Sequence, residues 1–347
     1  MSDFRTKTEA RRAAVDNPAD VRALAGSYWP PYDRAEMMRV PVALRRIAAL
    51  ASSVGTAPAY VLSPRFLIWR LQELVKVFNE RTGRHKSAKS WSLTLSNGRT
   101  VRFPLDDPSA VAFKTMADEF TPYYEKSLAD YLIDTLEPGD VFVDGGANIG
   151  YVSAVAATTG AVVFAVEIQR ELISQIEAVA TMNEFDLIRP LHMGLSAKPG
   201  MTSMWRTGIN FGAGLEGETE RSLDDDPRSI ADDFVTMMAL DDLFVGDALR
   251  PKVVKVDVEG HEIAVLEGAQ RLIAEARTIF VVEFHAHLIH LYGHTPEDLV
   301  ARFDPAVWTW QQLTDDGLVD IASMNDVVPD PRDPNPKLVF TPRARAA

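Results

Sequence analysis

Asp140-Val-Phe-Val-Asp144 runs without interruption into Gly145-Gly-Ala-Asn-Ile-Gly150. A short apolar strand that enters a glycine-rich turn and then a helix is the opening of a doubly wound α/β sheet. At that turn the backbone must come close to a ligand, which accounts for Gly146 and Gly150. The next apolar run, Ala161-Val-Val-Phe-Ala-Val166, ends in Glu167, seventeen residues after Gly150. A carboxylate at that strand end can accept both hydroxyls of a ribose.

The same alternation continues outward. Apolar strands are predicted at 140–145, 161–167, 188–193, 252–258, 278–285, 307–313 and 337–341, with helices at 150–158, 170–183, 261–276 and 295–303 between several of them. Short Val-, Ile- and Phe-rich strands separated by helices indicate a mostly parallel sheet covered on both faces. Upstream, Trp91, Leu93 and Leu95 alternate with polar residues before Asn97-Gly98, and Val101 and Phe103 do so after it, which predicts a two-residue β-hairpin. Tyr123 to Leu136 reads as a helix ending at Glu137-Pro138-Gly139. Residues 197–250 are too long for an ordinary connection and read as a structured insertion, a lid or a binding loop.

The chain has 347 residues, no cysteine and a net charge of −13. Disulfides, thiolate zinc sites and thiol catalysis are excluded, and the acidity argues against nucleic acid as a partner. The charge is uneven. Residues 1–95 balance to +8 and the rest to −21. Residues 1–88 read as a basic, mainly helical region, a substrate cap, docking element or partner contact. Within it Leu67, Leu71, Leu74, Val75 and Phe78 share one helical face. Residues 89–347 then form the α/β domain. Met1 to Arg12 is charged and helix-prone rather than leader-like, and no stretch makes a continuous spanning helix, so the expected location is cytoplasmic, with peripheral membrane contact left open.

The dinucleotide fingerprint Gly-x-Gly-x-x-Gly is absent from the first turn, and so is the phosphate-binding Gly-x-x-x-x-Gly-Lys-Ser/Thr. Gly212-Ala-Gly-Leu-Glu-Gly217 matches the former pattern but has no convincing strand before it. A nicotinamide-dependent oxidoreductase is therefore disfavoured. A nucleoside without phosphates, such as S-adenosylmethionine, fits better.

Asp144-Gly-Gly-Ala-Asn-Ile-Gly150, Glu167, Asn183, Gly194-Leu-Ser196-Ala-Lys-Pro-Gly200, Leu240-Asp-Asp-Leu243, Lys255-Val-Asp-Val-Glu-Gly-His-Glu262 with Val265-Leu-Glu-Gly268, and Val281-Val-Glu-Phe-His285 together resemble the FkbM family of class I methyltransferases. The resemblance runs through about residues 120–341 and leaves 1–88 outside it. It implies a Rossmann-like sheet of seven strands, the last antiparallel, and S-adenosylmethionine-dependent O-methylation of a small hydroxylated acceptor such as a sugar, glycan precursor or secondary metabolite. It further implies that Gly146, Asn148 and Gly150 surround the methionine end of the cofactor, with Asp144, Ala147 and Ile168 among the other cofactor contacts. Glu167 would take the ribose, Gly194, Leu195 and Ser196 the adenine side, and Asp257 the reacting end. Glu125 just ahead of the first strand would also reach the cofactor.

Two clusters are expected beyond the strand ends: Asp257, Glu259, His261 and Glu262, and then Glu283, His285 and His287. Methyl transfer to an alcohol needs alignment and removal of the hydroxyl proton. Five of the seven histidines fall between His261 and His294, and histidine is the natural base near neutrality. His285 or His261 is expected as base, with Glu283 and Asp257 orienting or polarising it. A divalent cation held by Asp257, Glu283 and His285 is the open variant of the same chemistry. A different class of reading is a non-catalytic module binding an anionic partner through the basic amino-terminal region. Oligomeric state is left open.

Overall fold

The structure, a computed structural model, describes residues 90–105, 107–206, 213–215, 233–286, 288–328 and 335–343. The expectations for residues 1–88 and for His287 lie outside them.

The predicted hairpin forms from β1 (Ser90–Thr94) and β2 (Thr100–Pro104), with Trp91 opposite Phe103 and Leu93 opposite Val101. It is attached to the main body by Asn183, whose side chain accepts from Arg102 N–H and donates to Arg102 O, both at 2.7 Å. Helices α1 (Pro108–Ala117) and α2 (Lys126–Thr135) follow. The α/β alternation then runs β3 (Val141–Gly145), α3 (Tyr151–Ala157), β4 (Val162–Glu167), α4 (Arg170–Asn183) and β5 (Ile188–His192). β6 (Gly194–Leu195) comes next, and the inserted segment holds β7 (Gly200–Arg206), β8 (Ala213–Leu215) and β9 (Asp233–Met238). After α5 (Leu240–Leu243) come β10 (Val253–Val256), α6 (Glu262–Glu267), α7 (Gln270–Glu275), β11 (Ile279–Glu283) and α8 (Pro296–Val300). β12 (Trp308–Thr314), β13 (Gly317–Asp320) and β14 (Lys337–Pro342) close the fold.

The main sheet has the order β13-β12-β14-β11-β10-β3-β4-β5. β5, β4, β3, β10 and β11 are parallel neighbours, and β14 is antiparallel to both β11 and β12. This is the seven-stranded class I methyltransferase arrangement with an eighth strand, β13, folded back on β12 at the edge. The sequence gives little sign of β13 because three of its four residues are exposed, so no burial pattern marks it. Its inner strands are legible for the opposite reason. All four residues of β10 and four of five in β11 are buried, as both faces of the sheet are covered. One core lies under the hairpin, α2, α3 and α4; the other lies under α6, α7 and α8, around Phe280, Phe303 and Trp308.

Two local outcomes extend or alter what the sequence suggests. The structured insertion expected at 197–250 contains, in its described part, β7, β8 and β9, which join β6 just before it in the small sheet β6-β9-β7-β8, and then α5. The helix expected over 261–276 is two helices, broken at Gly268-Ala269. A Cβ at Gly268 would stand 2.1 Å from Ser196 O, so the chain turns where it is pressed on another backbone. Asp241 of the Leu240-Asp-Asp-Leu243 motif then caps the second helix, accepting from Arg271 N–H (2.6 Å) and Leu272 N–H (3.1 Å).

Candidate functional site

The strand order reverses between β3 and β10, the point where open α/β sheets form a crevice beyond their carboxyl ends. A cavity of about 240 Å³ lies there.

Its first wall is the turn after β3. Gly146 has φ +76°, and a Cβ on it would lie 1.8 Å from Asp257 O, so the turn packs directly on the end of β10. Two residues on, Asn148 (φ 52°) donates its backbone N–H to Glu167 Oε2 at 2.8 Å, and Gln169 N–H donates to Glu167 Oε1 at 2.8 Å. These two bonds fix the Glu167 carboxylate at the cavity wall. Burial pushes its pKa up to about 7 against these hydrogen bonds. Glu125 and Glu259 also have positive φ, so three of the five non-glycine residues with positive φ among the described residues line this cavity. Strained backbone gathers at ligand sites in this way.

The floor is ionic. Lys255 Nζ lies 3.1 Å from Asp144 Oδ1 and 2.9 Å from Asp257 Oδ2, and donates to Gly146 O at 3.3 Å. Burial opposes its charge, but the Asp144 and Asp257 carboxylates outweigh this and hold the ammonium above its usual range. Conversely, burial disfavours the Asp257 anion, yet Lys255 and His285 hold its carboxyl below the usual range. Lys337 of β14 supplies a second buried ammonium, 3.1 Å from Glu125 Oε1 and 3.5 Å from Glu283 Oε2.

The far wall comes from the ends of β10 and β11. His285 Nδ1 is 2.7 Å from Glu262 Oε1, while Nε2 faces Glu259 Oε2 (3.7 Å), Asp257 Oδ1 (3.9 Å) and Glu283 Oε1 (3.9 Å). Burial disfavours the imidazolium, but the Glu262 hydrogen bond and charge prevail and push its pKa up to about 10. Glu283 is pushed up to about 8 by burial and by the Asp257 charge, and Glu259 is raised by burial. His261 stands elsewhere on the wall. Its Nε2 is 3.2 Å from Ser196 Oγ, its ring meets Tyr292 edge-on, and burial lowers its pKa.

Of the residues expected from sequence, Glu125, Gly146, Ala147, Asn148, Glu167, Ile168, Gly194, Leu195, Asp257, His261, Glu283 and His285 line this one cavity. Asp144, Gly150 and Ser196 do not. Asp144 is buried beneath it, accepting from Ser153 Oγ at 2.6 Å; Gly150 starts α3; and Ser196 supports His261. Phe113, Met116, Tyr151 and Lys255, which the sequence reading does not assign to the site, also line the cavity, and Lys337 pairs with its wall acids Glu125 and Glu283. Lys255 could have been found, since a lysine inside a fully apolar buried strand needs a carboxylate partner. Glu262, expected in the first of the two clusters, is fully buried and holds His285.

An acid positioned by two backbone amides, a glycine turn without a phosphate cradle and an apolar flank of Met193, Leu195 and Met237 suit a nucleoside that carries no phosphate. Residues 144–300 match the methyltransferase FkbM domain. A hexuronic acid methyltransferase, AglP, of Haloferax volcanii is 32% identical over 183 residues, covering 52% of this chain and 69% of that protein. Among solved structures, methyltransferase FkbM from Methylobacillus flagellatus is 15% identical with a TM-score of 0.37, over 66% of this chain and 57% of that one. The Thermus thermophilus 16S rRNA N2 G1207 methyltransferase RsmC, solved with AdoMet and guanosine, is 14% identical with a TM-score of 0.37, over 74% of this chain and 50% of that one. Domain match, curated relative and strand order together place the chain in the FkbM family of methyltransferases, with S-adenosylmethionine as its cofactor.

Proposed function

We propose that the protein methylates a hydroxyl of a small polar acceptor, a sugar or a glycan precursor. The observation that carries this reading is the convergence of Asp257, Glu259, Glu283 and His285 at the rim of the cofactor cavity. Bound S-adenosylmethionine supplies a methyl group already activated by its sulfonium. What the chain must add is alignment of the acceptor and a place for its proton.

Three carboxylates and an imidazole in one pocket can hydrogen-bond several hydroxyls at once, as a sugar requires. The acceptor proton passes to a carboxylate. Glu259 and Glu283 both have raised proton affinity, whereas His285 already holds its proton through Glu262 and His261 is tied to Ser196. His285 then orients the acids and offsets their charge. The hexuronic acid named for the Haloferax relative supports a carbohydrate acceptor, and the net charge of −13 favours a small molecule over nucleic acid. Among the described residues no helix is long and apolar enough to cross a membrane.

Incubation with methyl-labelled S-adenosylmethionine and a panel of sugars, hexuronic acids, amines and RNA tests the reading. Label in an alkali-stable sugar ether supports it. Label only in an alkali-labile ester, an amine or RNA overturns it.

A further inference from the structure

We propose that the end of β11 is a divalent-cation site, formed by Asp257 Oδ1, Glu283 Oε1 and His285 Nε2. This rests on the methyltransferase reading and deepens it. One donor atom of each residue lies within 4.8 Å of the others. Atoms bound about 2.1 Å from one cation stand roughly 3.0 Å apart when adjacent and about 4.2 Å apart when opposite. The 3.9 Å separations from Nε2 to Asp257 Oδ1 and to Glu283 Oε1 lie between these two values, and the three donors, within 4.8 Å of one another, must draw together on a bound ion.

Two features beyond the cluster point the same way. His285 is held at Nδ1 by the buried carboxylate of Glu262, 2.7 Å away, which is how a metal-binding imidazole is usually fixed with its other nitrogen aimed at the ion. Glu283 is a buried acid whose Oε1, the atom toward His285, accepts a long 3.5 Å hydrogen bond from Asn335 Nδ2, while Oε2 accepts none and faces the Lys337 ammonium 3.5 Å away. Asp257 divides its oxygens correspondingly: Oδ2 takes Lys255 at 2.9 Å and Oδ1 turns to the cluster. Two carboxylates with one imidazole suit Mn²⁺ better than Mg²⁺, which prefers oxygen alone.

The cation replaces the proton on Nε2 and binds the acceptor hydroxyl, making it more acidic. As the new O–C bond forms, the S–C bond breaks and its electron pair stays on sulfur. The hydroxyl proton passes to Glu259, which lies 3.7 Å from Nε2 and is 40% exposed.

The test uses the full chain, stripped with chelator, titrated with Mn²⁺ and followed by electron paramagnetic resonance, with S-adenosylhomocysteine binding measured in parallel. One site tighter than about 1 mM, with an imidazole nitrogen coupling on the bound ion, is expected. Glu283→Gln and Asp257→Asn should weaken it at least about tenfold, and Glu262→Gln by about 10–100-fold. The nitrogen coupling is read on the unaltered protein, so the test does not depend on any variant folding. Absence of tight Mn²⁺ binding, or a bound ion without nitrogen coupling, overturns the site. If S-adenosylhomocysteine also fails to bind, the methyltransferase reading falls with it; if it binds and Mn²⁺ does not, only the cation site falls.

Discussion

Glu262 Oε1 and His285 Nδ1 are 2.7 Å apart, both side chains buried, and together they tie the start of α6 to the end of β11. The same carboxylate oxygen accepts Gly260 N–H at 2.9 Å, so one buried acid fixes both the loop after β10 and the imidazole. Removing one member of a buried pair strands the other, at a cost of about 3–5 kcal/mol. Glu262→Ala should lower the unfolding free energy by that order in urea, and Glu262→Gln by less, because it keeps the acceptor for Gly260. Equal stability of Glu262→Ala and the parent would remove the pair's structural role.

Glu167 predicts a pH effect on cofactor affinity. Burial pushes its pKa up to about 7, whereas an unfolded glutamate titrates near 4.5. The folded state therefore binds the extra proton between these values, and this group's contribution to apoprotein stability falls as pH rises from about 4.5 through about 7. If Glu167 takes the ribose as proposed, the ribose hydroxyls donate to its ionised form and lower the pKa, so that binding below about pH 7 releases the proton. Affinity for S-adenosylhomocysteine should rise with pH up to about 7 and flatten above. Glu167→Gln should bind about tenfold or more weakly, the equivalent of a hydrogen bond to a charged group, and lose the slope. Calorimetry in buffers of different ionisation enthalpy reads both.

Gly146 and Gly98 have nearly the same φ, +76° and +77°, but only Gly146 would drive a Cβ into another backbone; Gly98 has nothing within 4 Å. Gly98→Ala should cost about 1–2 kcal/mol, the strain of a left-handed residue alone. Gly146→Ala must also push apart the ends of β3 and β10, so we expect loss of S-adenosylhomocysteine binding together with a larger drop in melting temperature. Comparable melting of the two variants would refute the close contact.

Asp241 lies outside the cavity, yet its carboxylate caps α7 through two backbone N–H groups. Asp241→Ala should destabilise by about 0.5–2 kcal/mol and leave cofactor affinity unchanged. A change in affinity without a change in stability would place Asp241 in the site instead.

Much of this was legible in the chain. β3, β4, β10 and β11 are apolar along their length because helices cover both faces, so their positions follow from composition and spacing. Gly146 and Glu167 follow from what a strand-to-turn crossing demands. Less legible were Lys337, brought beside Glu283 by an antiparallel strand more than fifty residues later, and the role of Glu262, which looks like any acid in a first helical turn.

The sequence by itself determined the doubly wound sheet, the glycine turn, the acid at the end of β4 and the absence of a phosphate-loop motif, because these depend on local periodicity and on residues close together in the chain. Only the tertiary structure decided the ionic arrangement. Asp144, Lys255 and Asp257 become one ionic row, Glu125, Lys337 and Glu283 another, and His285 is held by Glu262 with its second nitrogen toward three carboxylates. The physical reason is that a buried charge is defined by its partners. Those partners come from β3, β10, β11, β14 and the loops beside them, which meet only when the sheet is assembled.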